Sequence, residues 1–241
     1  SLVNSIAEQS ALALRNSDAM NLRLSKSRMD ADLRLASEVQ ELFLTQKFPD
    51  CKGLEVSAHY TPSAQVGGDF YDFKKLSSSK FAVSIADVSG KGIKSSLLMS
   101  KASSLYRCLS KTIYSTSDLL NLLNKEICET AARGMFVTML IGIYDSNKKE
   151  LLLANAGHEP PLIFDKQQKF SNFVEADPPL GIMPKIKYKE TKINFSDSSM
   201  YVFTDGITEI KDPSGEMLSL IHISEPTRLL SIGYSVFCMK K

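Results

Sequence analysis

Phe70-Tyr71-Asp72-Phe73-Lys74-Lys75-Leu76-Ser77-Ser78-Ser79-Lys80-Phe81-Ala82-Val83-Ser84-Ile85-Ala86-Asp87-Val88 is two apolar runs joined by a serine turn. Short runs rich in aromatic and β-branched residues, separated by a polar turn, form an antiparallel hairpin. Directly after it Ser89-Gly90-Lys91-Gly92 breaks the period, and Ile93, Leu97, Leu98, Ala102, Leu105 and Leu109 recur at helical spacing. A second helix is expected from about Asp118 to Ala132, capped by Ser117. Met135–Tyr144 and Leu151–Ala154 then read as another hairpin, followed by strands at Lys187–Phe195 and Met200–Phe203. Upstream, Leu54, Val56, Ala58 and Tyr60 alternate with polar residues as in a half-buried strand. Strands arrive in hairpins and helices in a block of their own, which specifies an α+β fold with antiparallel sheets.

The first 47 residues are different. From about Ser5 to Gln46 there is neither Pro nor Gly, and Leu22, Met29, Ala36 and Phe43 fall seven apart. That spacing predicts a long helix with a coiled-coil stripe, interrupted by Ser25 and Asp32 and stopped at Phe48-Pro49-Asp50.

The 241 residues are 43% hydrophobic and 23% charged, which suits a globular chain with a real core and excludes disorder. Lys and Arg total 29 against 27 for Asp and Glu, a balance too even to point to nucleic acid. No apolar run is long enough to span a bilayer and no leader opens the chain, so a cytoplasmic protein is expected. Cys51, Cys108, Cys128 and Cys238 are scattered without a CxxC pair, which argues against a disulfide or zinc framework, and Cys108 and Cys128 are expected in the core. From Leu218 the sequence Leu-Ser-Leu-Ile-His-Ile-Ser-Glu-Pro-Thr-Arg resembles a translated sequencing-library adapter, and Ile232–Met239 resembles the primer that follows it. Residues 218–241 are therefore read as a non-native tail outside the fold, and the slight basic excess lies wholly within it (Arg228, Lys240 and Lys241 against Glu225).

Three aspartates stand where an apolar strand meets a glycine turn: Asp69 after Gly67-Gly68, Asp87 before Val88-Ser89-Gly90, and Asp205 before Gly206. A carboxylate at a buried strand end is costly to desolvate unless it is paired or holds a cation. Three of them suit a hard, oxygen-preferring ion, Mg²⁺ or Mn²⁺. Two other motifs fail. A phosphate-binding P-loop needs Gly at 85 and Ser or Thr at 92, where the chain has Ile85 and Gly92. A GGDEF cyclase loop needs an acidic residue at Phe70.

Taken together, Gly67–Asp72, Ala86–Gly92, Met135–Thr138, Asn155-Ala156-Gly157-His158, Pro179-Leu180-Gly181 and Thr204–Glu209 resemble the SpoIIE-type branch of the PPM (protein phosphatase 2C-like) phosphatases. The resemblance runs from about Leu33 to Met217. Leu2–Asn16 is similar to the closing helix of a GAF sensor domain. The implied organisation is a GAF remnant at 1–17, a helical linker at 18–47, a phosphatase domain at 48–217 and the tail at 218–241. The implied fold is an αββα four-layer sandwich of two antiparallel sheets with flanking helices, preceded by a long linker helix.

The resemblance further implies two Mn²⁺ or Mg²⁺ ions, with Asp87 bridging them, Asp69 and the Val88 carbonyl on one and Asp205 on the other. They would activate water for attack on a phosphoserine or phosphothreonine. Gly68, Ser89, Gly90, Lys91 and Asn155 fall near the phosphate, and His158 is a candidate general acid. The implied substrate is a phosphorylated STAS-type anti-anti-sigma protein, and the linker helix implies a homodimer. One departure is large: the family ends in a strand introduced by Asp-Asp-[Ile/Val]-Thr, whose aspartate shares the Asp205 metal, and this chain has none. The last strand of the fold is thus expected to be missing. The competing reading is an inactive, partner-binding module of the same fold.

Overall fold

The computed structural model describes residues 2–45, 47–51, 53–62, 64–131, 134–167, 170–171, 174–206 and 234–240. Two compact units separate after Val39. The first is most of helix α1 (Leu2–Glu41), a single uninterrupted helix across the proposed boundary at 17/18. Its apolar side chains lie in solvent within that unit: Leu12, Leu14, Met20, Leu22, Leu24, Met29 and Leu35 are all exposed.

The second unit, Gln40–Lys241, holds two five-stranded antiparallel sheets. One is ordered β2-β3-β4-β5-β8, from β2 (Phe70–Lys75), β3 (Lys80–Val88), β4 (Val137–Asp145), β5 (Glu150–Ala156) and β8 (Thr191–Asn194). The hairpin that decided the fold is present in register, Phe70 opposite Ala86 and Lys75 opposite Phe81. Both faces of β3 and β4 are covered, so their sequences are nearly continuous apolar runs rather than alternating ones. Tyr144 meets Phe195 edge-on at 5.8 Å, and Phe73 stacks on Phe81 at 5.9 Å.

Helices α2 (Ile93–Leu109) and α3 (Thr116–Thr130) pack over β3, β4 and β5. The cap of α3 is Ser115, whose hydroxyl accepts from the Asp118 amide, and not the expected Ser117. The helix starts at Thr116, earlier than expected, and the Ser115 hydroxyl takes the Asp118 amide that its first turn leaves unpaired. Cys108 is exposed, not in the core: it lies two positions from buried Tyr106 and so on the far side of α2. Cys128 is half-buried, and its thiol points to Asn124 Oδ1.

The other sheet is ordered β1-β10-β9-β6-β7, from β1 (Glu55–Thr61), β6 (Leu162–Phe164), β7 (Phe170–Ser171), β9 (Ser199–Phe203) and β10 (Tyr234–Lys240). Here the expectation of a missing last strand is corrected. Residues 234–240 occupy the slot between β1 and β9, with Glu55 opposite Lys240 and Val236 opposite Phe203. Ser-Val-Phe-Cys-Met is apolar enough, and β-prone enough, to satisfy a slot that offers ladders on both sides, and Met239 is fully buried there. The strand brings no acidic residue with it. Among the described residues α2 and α3 pack on the β2–β8 sheet of the two-sheet sandwich. Ile207-Thr208-Glu209 and the Gly215-Glu216 turn lie outside the described residues.

Candidate active site

The cleft forms where the ends of the two sheets meet. Extending the hairpin register by one residue sets Asp69 opposite Asp87, because Phe70 pairs with Ala86. Asp205 follows β9 on the other sheet by two residues. A cavity of about 340 Å³ is lined by all three aspartates, with Gly68, Val88, Ser89, Gly90 and Lys91. Eight of the ten residues singled out from the sequence thus converge.

Each is held by a local cause. Gly67 and Gly68 are required by close approach: a Cβ at Gly67 would collide with the Tyr60 hydroxyl, and one at Gly68 would lie 3.0 Å from the Val88 carbonyl oxygen. That places the Val88 carbonyl beside the glycine turn that carries Asp69. The Thr204 hydroxyl donates to Asp69 Oδ2 at 2.7 Å, tying the turn of one sheet to the strand end of the other. Ser89 is a turn anchor: its hydroxyl accepts from the Phe136 amide at 2.9 Å, and its own amide donates to the Phe136 carbonyl at 3.0 Å. Gly90 and Gly92 carry φ of 90° and 80°, letting the chain swing from β3 into α2. The N-terminus of α2, with no side-chain cap at Gly92, opens on the same cavity and favours an anion there. Lys91 is exposed at its mouth.

Asn155 and His158 are not among the lining residues. Asn155 is 1% and His158 3% exposed, and they close a turn on each other: Asn155 Nδ2 donates to the His158 carbonyl at 2.9 Å, and the His158 amide donates to Asn155 Oδ1 at 2.8 Å. Gly157 between them has φ 68°, and a Cβ there would collide with the Pro179 ring. His158 Nδ1 lies 3.0 Å from Thr138 Oγ1, and it is Thr138 that faces the cleft. His158 therefore stands behind the site, supporting Thr138, which is placed for contact with a ligand. Burial pushes the His158 imidazole down to about 4, opposed by weak help from the Phe203 backbone, and its Nε2 lacks a well-formed hydrogen bond. The sign follows: below the ordinary value of 6.5 the unfolded chain takes a proton that the folded chain refuses. The His158 contribution to stability should be level above about pH 6.5 and fall by up to about 3 kcal/mol toward pH 4. Urea unfolding of wild type and His158→Gln at pH 7 and pH 5 checks this, the variant losing less on acidification.

The sequence pointed less clearly to Thr138 and Thr204, and not at all to Ser95, which lines the cleft, or to Gln40. Gln40 is buried and grips the metal-candidate turn twice: its Nε2 donates to the Gly67 carbonyl at 2.7 Å, and its Oε1 accepts from the Gly67 amide at 2.8 Å. Gln40→Leu would strand both Gly67 groups in the interior. It is expected to lower the unfolding free energy by about 2–4 kcal/mol in urea titration.

The donor set in the cleft is all oxygen, three carboxylates and a carbonyl, which fits Mg²⁺ or Mn²⁺ and not a soft metal. Among the described residues no three acidic, His or Cys side chains form a ready-made cage. The carboxylates line a common cleft without closing a coordination shell.

The family model for stage II sporulation protein E (SpoIIE) matches residues 77–230. The phosphoserine phosphatase RsbU of Bacillus subtilis is 32% identical over 198 residues, covering 80% of this chain and 58% of RsbU. The chain spans between 35% and 58% of the length of three curated relatives, RsbU among them. Among solved structures, the SiaA-PP2C domain of Pseudomonas aeruginosa superposes with a TM-score of 0.73 at 13% identity, covering 90% of this chain and 98% of that one. The RsbU and RsbW domains of Rv1364c from Mycobacterium tuberculosis give 0.69 at 19% identity, over 82% of this chain and 62% of that one. With the strand-end aspartates gathered in one cleft of a PP2C-like fold, the chain belongs to the SpoIIE family of PP2C-type serine/threonine phosphatases.

Proposed function

We propose that the domain hydrolyses phosphoserine or phosphothreonine on a protein, using Mn²⁺ or Mg²⁺ held by Asp69, Asp87, the Val88 carbonyl and Asp205. The observation that carries this is the convergence of three carboxylates from the ends of two sheets on one cleft. Bound divalent cations there would acidify water and offset phosphate charge. The chain's own residues do the rest. Asp69 is oriented by Thr204, Ser89 and Gly90 shape the wall, and Lys91 with the α2 N-terminus draws the anionic group in. A substrate of the STAS-type anti-anti-sigma class is the one that the family resemblance implies, and the name of RsbU, a phosphoserine phosphatase, supports the chemistry. Pairing of two α1 helices into a homodimer is supported by the exposed leucines and methionines of the first unit, and through it a sensor at 1–17 would act.

The reading is checked by phosphate release from a phosphoserine protein. Release should require Mn²⁺ or Mg²⁺ and stop with EDTA, whereas metal-independent release would overturn it. A second reading, a non-catalytic partner-binding module, is favoured by one observation: β10 carries no carboxylate. It calls for partner binding that EDTA leaves unchanged, with no turnover.

A further inference from the structure

We propose that the groove at the far end of β2 is a docking site for an extended acidic segment of the protein substrate. The proposal rests on the phosphoprotein-phosphatase reading above. Lys47, Lys74, Lys75, Arg107 and Lys111 surround a single carboxylate, Asp72, in an open groove of about 610 Å³. One negative charge cannot balance five positive ones, so the groove keeps a strong positive potential, which a segment rich in Glu and Asp complements.

The floor is pre-organised. Arg107 Nε donates to Asp72 Oδ2 at 3.1 Å, its Nη2 donates to Thr45 Oγ1 at 3.3 Å, and the Thr45 hydroxyl donates to Asp72 Oδ1. The Asp72 side chain is 5% exposed and the Arg107 side chain 32%, so Arg107 is anchored on a buried carboxylate while part of it stays in solvent. Lys74 Nζ donates to the Arg107 carbonyl at 3.2 Å and stands 5.6 Å over the Tyr106 ring. Burial, with Lys111 and Arg107 nearby, pushes the Lys74 ammonium down against the pull of Asp72. Lys47, Lys75 and Lys111 are exposed and have no ion pair among the described residues.

Position and shape select the occupant. Lys75 lies six residues along β2 from Asp69, about 20 Å at the rise of a strand, so the groove is too far away to hold the phosphate being cleaved. Lysines on an edge strand such as β2 also deter strand pairing. Lys47, Arg107 and Lys111 are off that strand, so deterrence does not account for them. The wall ring Phe48 is half-buried and engaged with Tyr71 and Phe73, leaving no free aromatic platform for nucleic-acid bases.

The test uses the full chain and a fluorescently labelled peptide of Glu and Ser, read by anisotropy. Wild type should bind it in a salt-sensitive way. The triple variant K47E/K75E/K111E, whose exposed positions leave the melting curve unchanged, should bind at least about tenfold more weakly. Equal binding by the variant overturns the proposal, as does oligo-dT binding more tightly than the peptide, or inorganic tripolyphosphate displacing the peptide at matched charge. In a kinetic arm, the variant should raise KM for an acidic phosphopeptide and leave p-nitrophenyl phosphate hydrolysis unchanged. An equal change in both substrates overturns the docking role. Absence of turnover by wild type on either substrate sinks the phosphatase reading instead, while the anisotropy still decides whether the groove takes an acidic segment.

Discussion

Asp87→Asn is expected to cut phosphate release by about 10³-fold or more, with the fold intact. The position is opposite Asp69 in register and lines the cleft with Asp205, and the family resemblance makes it the carboxylate that both cations would share. An amide keeps the shape and a neutral oxygen but loses the charge that would hold a divalent cation, whose electrostatic contribution is several kcal/mol at about 1.4 kcal/mol per tenfold in rate. Steady-state release from a phosphoserine protein, with Mn²⁺ varied, checks this. Near-wild-type turnover would remove Asp87 from the centre of the chemistry, and excess Mn²⁺ should not restore it. Circular dichroism of the variant should match wild type, since relieving like charge between neighbouring carboxylates does not harm the fold.

Replacing Gly233-Tyr234 by Asp-Asp is expected to raise metal-dependent turnover by about 10²-fold. Val236 pairs with Phe203, so the same register carried two residues further sets position 234 opposite Asp205. Position 234 is thereby level with Asp205, and the family resemblance implies that one aspartate of such a pair adds an oxygen on the Asp205 metal. The gain is measured as kcat/KM for Mn²⁺-supported release, and isothermal titration should show tighter Mn²⁺ binding. If the Asp-Asp chain turns over no faster, the limiting defect is elsewhere, and the partner-binding reading gains.

How legible this was varies residue by residue. Asp69, Asp87 and Asp205 could be read because a carboxylate next to a glycine turn at a buried strand end has few inexpensive explanations. Asn155 and His158 could not be sorted from sequence, since a turn that closes on itself and one that faces ligand use the same residue types; only the bonds between them show the difference. Gln40 left no local signal, because its partner is the backbone of Gly67 on the far side of β1 in the chain. Ser117 reads as the cap of α3, but Ser115, an equally good cap chemically and two residues earlier, takes the Asp118 amide. The last strand was set aside because of what its sequence resembles, whereas the sheet responds only to alternation and bulk: Phe237 and Met239 supply both.

That last strand has a consequence for how the molecule is made. β10 lies between β1 and β9, so Glu55 waits for Lys240 before it finds its ladder partner. On the ribosome the β2–β8 sheet can assemble from neighbours in the chain, while the other sheet stays split in two until residues 234–240 emerge. Until β10 is made the domain is half-built and sticky, and synthesis that stops short of it leaves two unsatisfied edges in place of one finished sheet.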